Sequence, residues 1–152
     1  MRENIAELIH KGGVYKDVEG SSPEEIYGNF VKIMNFPEGL NKNTVFEALC
    51  SREKIMSTAV GGGIALPHAR FPVIKSDNEQ QISVVYLKKP IDMNAPDERK
   101  VFVMFVILTS NQKTHIQVLS ELVQLFQKKE FKKLLEQNAD EAQLLNVIRN
   151  LS

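Results

Sequence analysis

The spacing of apolar and polar residues along the chain predicts strands that alternate with helices. Residues 13–18 (GVYKDV) alternate as a strand does, and residues 82–87 (ISVVYL) and 64–66 (IAL) are predicted as two more strands. Residues 101–109 (VFVMFVILT) are apolar on both faces, which is typical of a central strand that helices cover on both sides. Residues 5–10 fit either a short helix or a short strand.

Sequence signals that are typical of helix starts predict several helices in the rest of the chain. Ser22 followed by Pro23 and Glu25 is typical of an N-cap, a first helical position and a capping-box partner. Two further capping boxes are predicted, with Thr44 opening a helix over residues 44–56 and Thr114 opening another. Helices are also predicted over residues 130–136 and 140–150, and the segments 72–81 and 94–100 are predicted as loops. The side chains expected to face the core are Ile26, Phe30, Ile33 and Met34 in the first helix, Val45, Ala48 and Leu49 in the second, and Val118, Leu119, Leu122, Val123 and Phe126 in the third.

Together these elements predict an α/β fold, a single domain over residues 1–152 in which a mixed β-sheet is flanked by α-helices. The 19 basic and 19 acidic residues balance, so a nucleic-acid-binding or anionic-membrane surface is disfavoured. The longest apolar run, residues 101–108, is shorter than the roughly 20 residues that a membrane span needs. A single cysteine, Cys50, and acidic residues in place of a signal-peptide core at the N-terminus favour a cytoplasmic protein.

The segment GGGIALPHAR contains the strongest candidate for chemistry. Gly61, Gly62 and Gly63 permit positive φ angles and close backbone approach, and their amides could bind an anion. Pro67 keeps the preceding residue extended, so His68 follows the end of a strand on a stiff connection. For an arbitrary histidine, a structural residue with satisfied hydrogen bonds is the more common case, but this context favours function.

Two other residues are candidates for the same site. His115 lies in the first turn of its predicted helix, where the helix dipole favours a neutral imidazole; it could also be a packed histidine. Arg52 continues the apolar stripe of its helix, either as a side chain that extends past the edge of the core or as a guanidinium that binds a phosphoryl group. Cys50 is interpreted as a buried structural residue, and the histidines present make a poor metal site.

In combination, these motifs resemble the fructose/mannitol-type enzyme IIA domains (type 2) of the bacterial phosphoenolpyruvate-dependent sugar phosphotransferase system. The similarity covers nearly the whole chain, and the Pro-His signature is quite specific in this context. Departures from the family pattern are Ala59, Gly62 and the turn at residues 97–100. The matching residues are Arg52-Glu53, Ser57-Thr58, Gly61, Gly63-Ile64-Ala65, Pro67-His68, Pro90-Ile91-Asp92, Asp97, His115, Leu119 and Leu122.

The resemblance implies a phosphotransferase component with no cofactor and no metal. A phosphohistidine on the carrier protein HPr would donate its phosphoryl group to His68, which would pass it to an enzyme IIB partner on a separate chain for sugar uptake. Arg52 would compensate charge, His115 would form hydrogen bonds, and Gly61, Gly62, Gly63 and Thr58 would contact the phosphoryl group. The alternative is a regulatory, nitrogen-related enzyme IIA whose phosphorylation state controls binding to other proteins.

Overall fold

The computed structural model describes residues 2–151, with side chains from residue 4 onward; the predicted domain ends at residues 1 and 152 lie outside this range. Six α-helices, five β-strands and one short 3₁₀ turn are present in the part of the chain described. In chain order they are α1 (Arg2–Gly12), β1 (Val14–Val18), α2 (Pro23–Ile33), α3 (Lys42–Ile55), β2 (Ala59–Gly61), β3 (Ile64–Ala65), the 3₁₀ turn (Asp77–Glu79), β4 (Gln81–Ile91), β5 (Val101–Leu108), α4 (Gln112–Phe126), α5 (Lys129–Glu136) and α6 (Glu141–Asn150).

The strands form one mixed sheet in the order β1-β4-β5-β3-β2. Strands β1 and β4 are parallel, as are β3 and β5, whereas β4–β5 and β2–β3 are antiparallel pairs. The sheet confirms the predicted α/β class. It also confirms that residues 101–108 form the central strand.

Helices cover both faces of the sheet. Successive side chains of β5 point to opposite sides, so they pack into two separate cores. Val103, Phe105 and Ile107 belong to the core that contains α1 and α4 to α6. Met104 and Val106 belong to the second core, which contains α2 and α3. The strand is therefore buried on both faces, as its continuous apolar sequence predicts.

The capping predictions are correct for one helix and wrong for two. Ser22 caps α2, and its side chain accepts a hydrogen bond from the backbone N–H of Glu25. Helix α3 begins earlier than predicted, because the Asn41 side chain accepts from the N–H of Thr44. Helix α4 likewise begins after Asn111. Asparagine is as good an N-cap as serine and better than threonine, so the helix start moves three residues upstream of each predicted threonine cap.

Other differences concern the edges of predicted elements. Ile33 and Val123 are exposed, because the buried face of α2 includes Tyr27 and that of α4 includes Leu125, two positions that were not among those expected in the core. Residues 5–10 form part of a helix, and β4 continues to Ile91.

Within residues 2–151, no helix combines the length and hydropathy needed to cross a bilayer.

Candidate active site

His68 lies just beyond β3, beside the carboxyl-terminal half of β5. Its backbone forms an isolated parallel bridge with Ile107, whose N–H donates to the carbonyl of Pro67 at 2.9 Å. This short extension of the sheet fixes the backbone on both sides of the histidine. The side chain is half-buried, so one part of the ring packs against the protein and another part remains accessible.

The hydrogen bond of the His68 ring determines which of its nitrogens is available for chemistry. Nδ1 lies 2.7 Å from the carbonyl oxygen of Leu66. Because a carbonyl oxygen can only accept, Nδ1 carries the hydrogen and donates, and in the neutral ring Nε2 keeps an unshared electron pair. Burial lowers the pKa of His68, with the bond to Leu66 acting in the opposite direction and the charge of Arg52 in the same direction. The ring is therefore a neutral nucleophile at pH 7.

His115 lies beside His68, with the ring centroids 4.7 Å apart and the ring planes inclined by 47°. It lies in the first turn of α4, which starts where β5 ends. Burial, together with the nearby His68 and the charge of Arg52, lowers the pKa of His115 to about 4. Both imidazoles are therefore neutral at physiological pH, and each can donate one hydrogen bond and accept another.

Arg52 reaches the two histidines from the last turn of α3. One guanidinium nitrogen donates to the carbonyl of Met56 at 2.5 Å, which fixes the direction of the side chain. Its charge lowers the pKa of both His68 and His115, as expected for a cation that lies close to both rings. Within the described residues, its other N–H groups have no hydrogen-bond acceptor. They can therefore donate to an anion bound at His68.

Thr58 has a different environment from the one expected. Its side chain is only 5% exposed. Its hydroxyl donates to the Glu53 carboxylate at 2.7 Å, and its N–H donates to the same carboxylate at 2.9 Å. The hydroxyl is therefore engaged inside the protein and is not directed at a group on His68.

Gly61, Gly62 and Gly63 form the turn between β2 and β3, with φ angles of 96°, 66° and 81°. This turn lies at the opposite end of β3 from His68. Residues 64 to 68 run parallel to residues 103 to 107, a separation of about 13 Å at 3.3 Å per residue. The N–H of Gly62 donates to Asp97 at 2.9 Å. The expectation that these glycines contact the same phosphoryl group as His68 does not fit this geometry.

Packing and turn geometry explain the glycines instead. A Cβ atom on Gly63 would lie 2.5 Å from a ring carbon of Phe102, which is too close for any side chain. At Gly62 there is open space, but the positive φ disfavours other residues. The triple glycine is therefore a structural turn in this protein.

Exposed apolar side chains lie around the two histidines. Met56 at the end of α3 is 69% exposed, Ile116 next to His115 is 60% exposed, and Phe71 is 71% exposed. A depression lined by Phe71 and His115 holds about 10 Å³, enough for about one water molecule and too small for a sugar. An exposed apolar surface around a shallow site suits contact with another protein better than binding of a small molecule.

The remaining chemically reactive groups lie elsewhere. Cys50 is buried, as predicted, and burial raises the pKa of its thiol. Among residues 2–151, no three His, Cys, Asp or Glu side chains are arranged to hold a metal ion. Sequence reasoning gave Glu53 no role of its own, although its position beside Arg52 in the Arg-Glu pair was a usable signal.

The mixed sheet and the paired histidines fit the resemblance to the enzyme IIA domains, which are phosphotransfer components. Residues 7–151 match the family model described as "Phosphoenolpyruvate-dependent sugar phosphotransferase system, EIIA 2", and the chain belongs to this family. The resemblance inferred from the sequence is thereby confirmed.

Several curated relatives are nitrogen regulatory proteins. The chain is 33% identical over 144 residues to the nitrogen regulatory protein homolog of Haemophilus influenzae, covering 90% of this chain and 87% of that protein. It is 39% identical over 85 residues to the nitrogen regulatory protein of Klebsiella oxytoca, a match that spans about half of each protein: 54% of this chain and 51% of the relative.

Solved structures of enzyme IIA proteins share the fold. The nitrogen regulatory protein IIA-Ntr of Neisseria meningitidis has a TM-score of 0.81 at 26% identity, covering 95% of this chain and 99% of that one. The mannitol enzyme IIA of Escherichia coli, solved in complex with phosphorylated enzyme IIB, has a TM-score of 0.67 at 16% identity, with 91% and 94% covered. This second likeness shows the fold alone.

Proposed function

We propose that the protein is a phosphocarrier that accepts a phosphoryl group on Nε2 of His68 from the phosphohistidine of HPr. The observation that carries the proposal is the bond between Nδ1 of His68 and the carbonyl of Leu66, which leaves the electron pair of Nε2 free. That pair forms the new N–P bond while the N–P bond of the donor breaks and its electrons return to the donor imidazole. No proton has to leave Nε2 first, so no separate base is needed.

Arg52 and His115 stabilise the transferring group in this proposal. The phosphoryl oxygens carry negative charge through a loose transition state, and stabilisation depends mainly on positioned donors and cations. Arg52 supplies a positive charge that acts on both rings, and the neutral His115 supplies one N–H donor. No metal or cofactor is needed for this step.

The proposal also covers the acceptor of the phosphoryl group and the physiological role of the protein. We favour a regulatory role, in which phosphorylation of His68 changes contacts with other proteins, because the Haemophilus influenzae and Neisseria meningitidis relatives, 33% and 26% identical over most of both chains, carry the name nitrogen regulatory protein. The second candidate is sugar uptake through a separate enzyme IIB. It is supported by the family description and by the mannitol enzyme IIA bound to its phosphorylated IIB. Both roles place the protein in the cytoplasm.

Labelling with phosphoenolpyruvate, enzyme I and HPr tests the chemical step. Wild-type protein should gain one phosphate that is labile in acid and stable in base, as expected for phosphohistidine. The variant His68→Ala should gain none and remain folded, whereas the control His10→Ala, which alters an exposed histidine paired with Glu141, should label normally. Persistent labelling of His68→Ala would refute the assignment.

Uptake measurements distinguish the two roles. In a regulatory role, a strain that carries His68→Ala takes up fructose and mannitol at the wild-type rate while binding to protein partners changes between the phosphorylated and unphosphorylated forms. Loss of uptake of either sugar in that strain would instead support the transport role.

A further inference from the structure

A half-buried carboxylate adjacent to the site accepts three hydrogen bonds. Oε1 of Glu53 accepts from the hydroxyl of Tyr27 at 2.5 Å and from the hydroxyl of Thr58 at 2.7 Å. Oε2 accepts from the backbone N–H of Thr58 at 2.9 Å. Glu53 therefore connects three elements of the fold: its own helix α3, helix α2 through Tyr27, and the start of strand β2 through Thr58.

The same interactions continue to His68 through one residue, Leu66. The carbonyl of Thr58 accepts from the N–H of Leu66 at 2.9 Å. The carbonyl of Leu66 in turn accepts from Nδ1 of His68 at 2.7 Å. The Leu66 carbonyl, whose bond to Nδ1 sets the tautomer of His68, is therefore held from one side by the bond between Leu66 and Thr58 and from the other by the bond between Pro67 and Ile107.

Besides Glu53, strand β2 is held at its start by the Ser57 hydroxyl, which donates to the carbonyl of Met93 and accepts from the N–H of Ala59, and at its end by the bond from Gly62 to Asp97. It has three residues, lies at the edge of the sheet and pairs only with β3, which has two residues. A carboxylate suits the site because it only accepts, whereas an amide would present its own N–H donors to some of the three donors around it. Tyr27 and Thr58 are almost completely buried, so a donor left without a partner there would be costly.

We propose that Glu53 is a positioning residue of the His68 site, which acts through Thr58 and Leu66 to hold His68 in the tautomer with hydrogen on Nδ1. The effect on the tautomer is a property of the unphosphorylated protein. Its effect on transfer rate rests on the phosphocarrier function proposed above. Arg52 and Glu53 thus have different roles at one helix end, since the charge of Arg52 acts on the two rings and Glu53 acts on the backbone that holds His68.

The tautomer can be measured directly by ¹⁵N NMR of the imidazole nitrogens at pH 7.5. Wild-type His68 should show hydrogen on Nδ1. In Glu53→Gln, the two nitrogen shifts should move toward each other as the tautomers mix, while the control Glu47→Gln, an exposed position of the same helix, leaves them unchanged. A folded Glu53→Gln with the wild-type shifts of His68 would overturn the proposal.

Two further measurements make the test complete. Thr58→Val removes only the hydroxyl donor and keeps the backbone bond to Glu53. It should therefore move the tautomer equilibrium of His68 in the same direction by a smaller amount. If Glu53→Gln does not fold, unchanged ¹⁵N shifts of His68 in Thr58→Val refute the proposal. Transfer from phospho-HPr should slow about 10- to 100-fold in Glu53→Gln, the range for a displaced reacting group. Failure of wild-type protein to accept phosphate would refute the proposed function, while the NMR result would still decide the role of Glu53.

Discussion

The substitution Arg52→Lys separates a role in phosphoryl transfer from a role in packing. One guanidinium N–H is used by the carbonyl of Met56, and the other donors are free for the phosphoryl group. Lysine has a single nitrogen on a stem of similar length, so it can bind the carbonyl or the phosphoryl group but cannot present the planar pair of donors. The charge is kept, and only the geometry changes.

The expected magnitudes follow from these contacts. Loss of one hydrogen bond to a charged group in the transition state raises the barrier by about 1.5–3 kcal/mol, which slows transfer about 10- to 150-fold. Loss of the bond to Met56 weakens the end of α3 by about 1 kcal/mol. For a chain of this size, such a change lowers Tm by about 2–4 °C.

Rapid-quench measurement of single-turnover transfer from phospho-HPr gives the rate, and calorimetry on the same preparation gives Tm. Arg99→Lys is the matched control, because Arg99 is exposed in the turn beside Asp97, at the other end of the sheet from His68. It should change neither quantity. Unchanged transfer in Arg52→Lys together with a lower Tm would show that Arg52 only supports the fold.

Three further predictions follow from the geometry. His115→Ala should slow transfer from phospho-HPr about 10²–10⁴-fold in single-turnover assays while His68 still becomes labelled at long times, because it removes a donor and not the acceptor nitrogen. The free energy of unfolding of the wild type should fall as the pH drops from about 6.5 to about 4 in denaturant titrations, because the unfolded chain protonates His115 more readily than the folded one; His115→Ala should show a smaller fall. Gly63→Ala should lower the free energy of unfolding by about 1–3 kcal/mol through contact with Phe102 and strain at positive φ, with labelling of His68 unchanged.

Each of these has a contradicting result. Wild-type transfer by His115→Ala would show that His115 is only a packed residue. Equal pH dependence in the wild type and the His115→Ala variant would mean that burial does not depress the pKa of His115. Loss of labelling in a folded Gly63→Ala protein would show that the glycine turn takes part in the phosphorylation of His68.

The sequence predicts the sheet well where one strand has a continuous apolar pattern. Residues 101–108 require cover on both faces whatever else the chain does, so their central position follows from the hydrophobic effect alone. Strand β2 has only three residues and no readable periodicity, so it could not be predicted. The starts of α3 and α4 were misplaced because Thr44 and Thr114 both have a capping-box partner, while Asn41 and Asn111 are stronger caps one turn earlier.

Distance along the chain is a poor guide to which residues share the site. The glycines are near His68 in sequence but lie at the other end of an extended strand, which advances about 3.3 Å per residue. Arg52 and His115 are far from His68 in sequence, yet the end of α3 and the start of α4 bring them to it. Helical periodicity gave their directions correctly. The hydrogen bonds of Glu53 and Thr58 depend on tertiary contacts that no local pattern contains.

The bond between His68 and the Leu66 carbonyl also has a kinetic consequence. Because Nδ1 is occupied before and after Nε2 reacts, the ring need not rotate during a cycle and offers one nitrogen on one open side. If His68 carries phosphate, donor and acceptor proteins must visit that side in turn. Steady-state transfer would then follow a ping-pong pattern, with parallel lines in double-reciprocal plots and with unphosphorylated HPr competing against the acceptor.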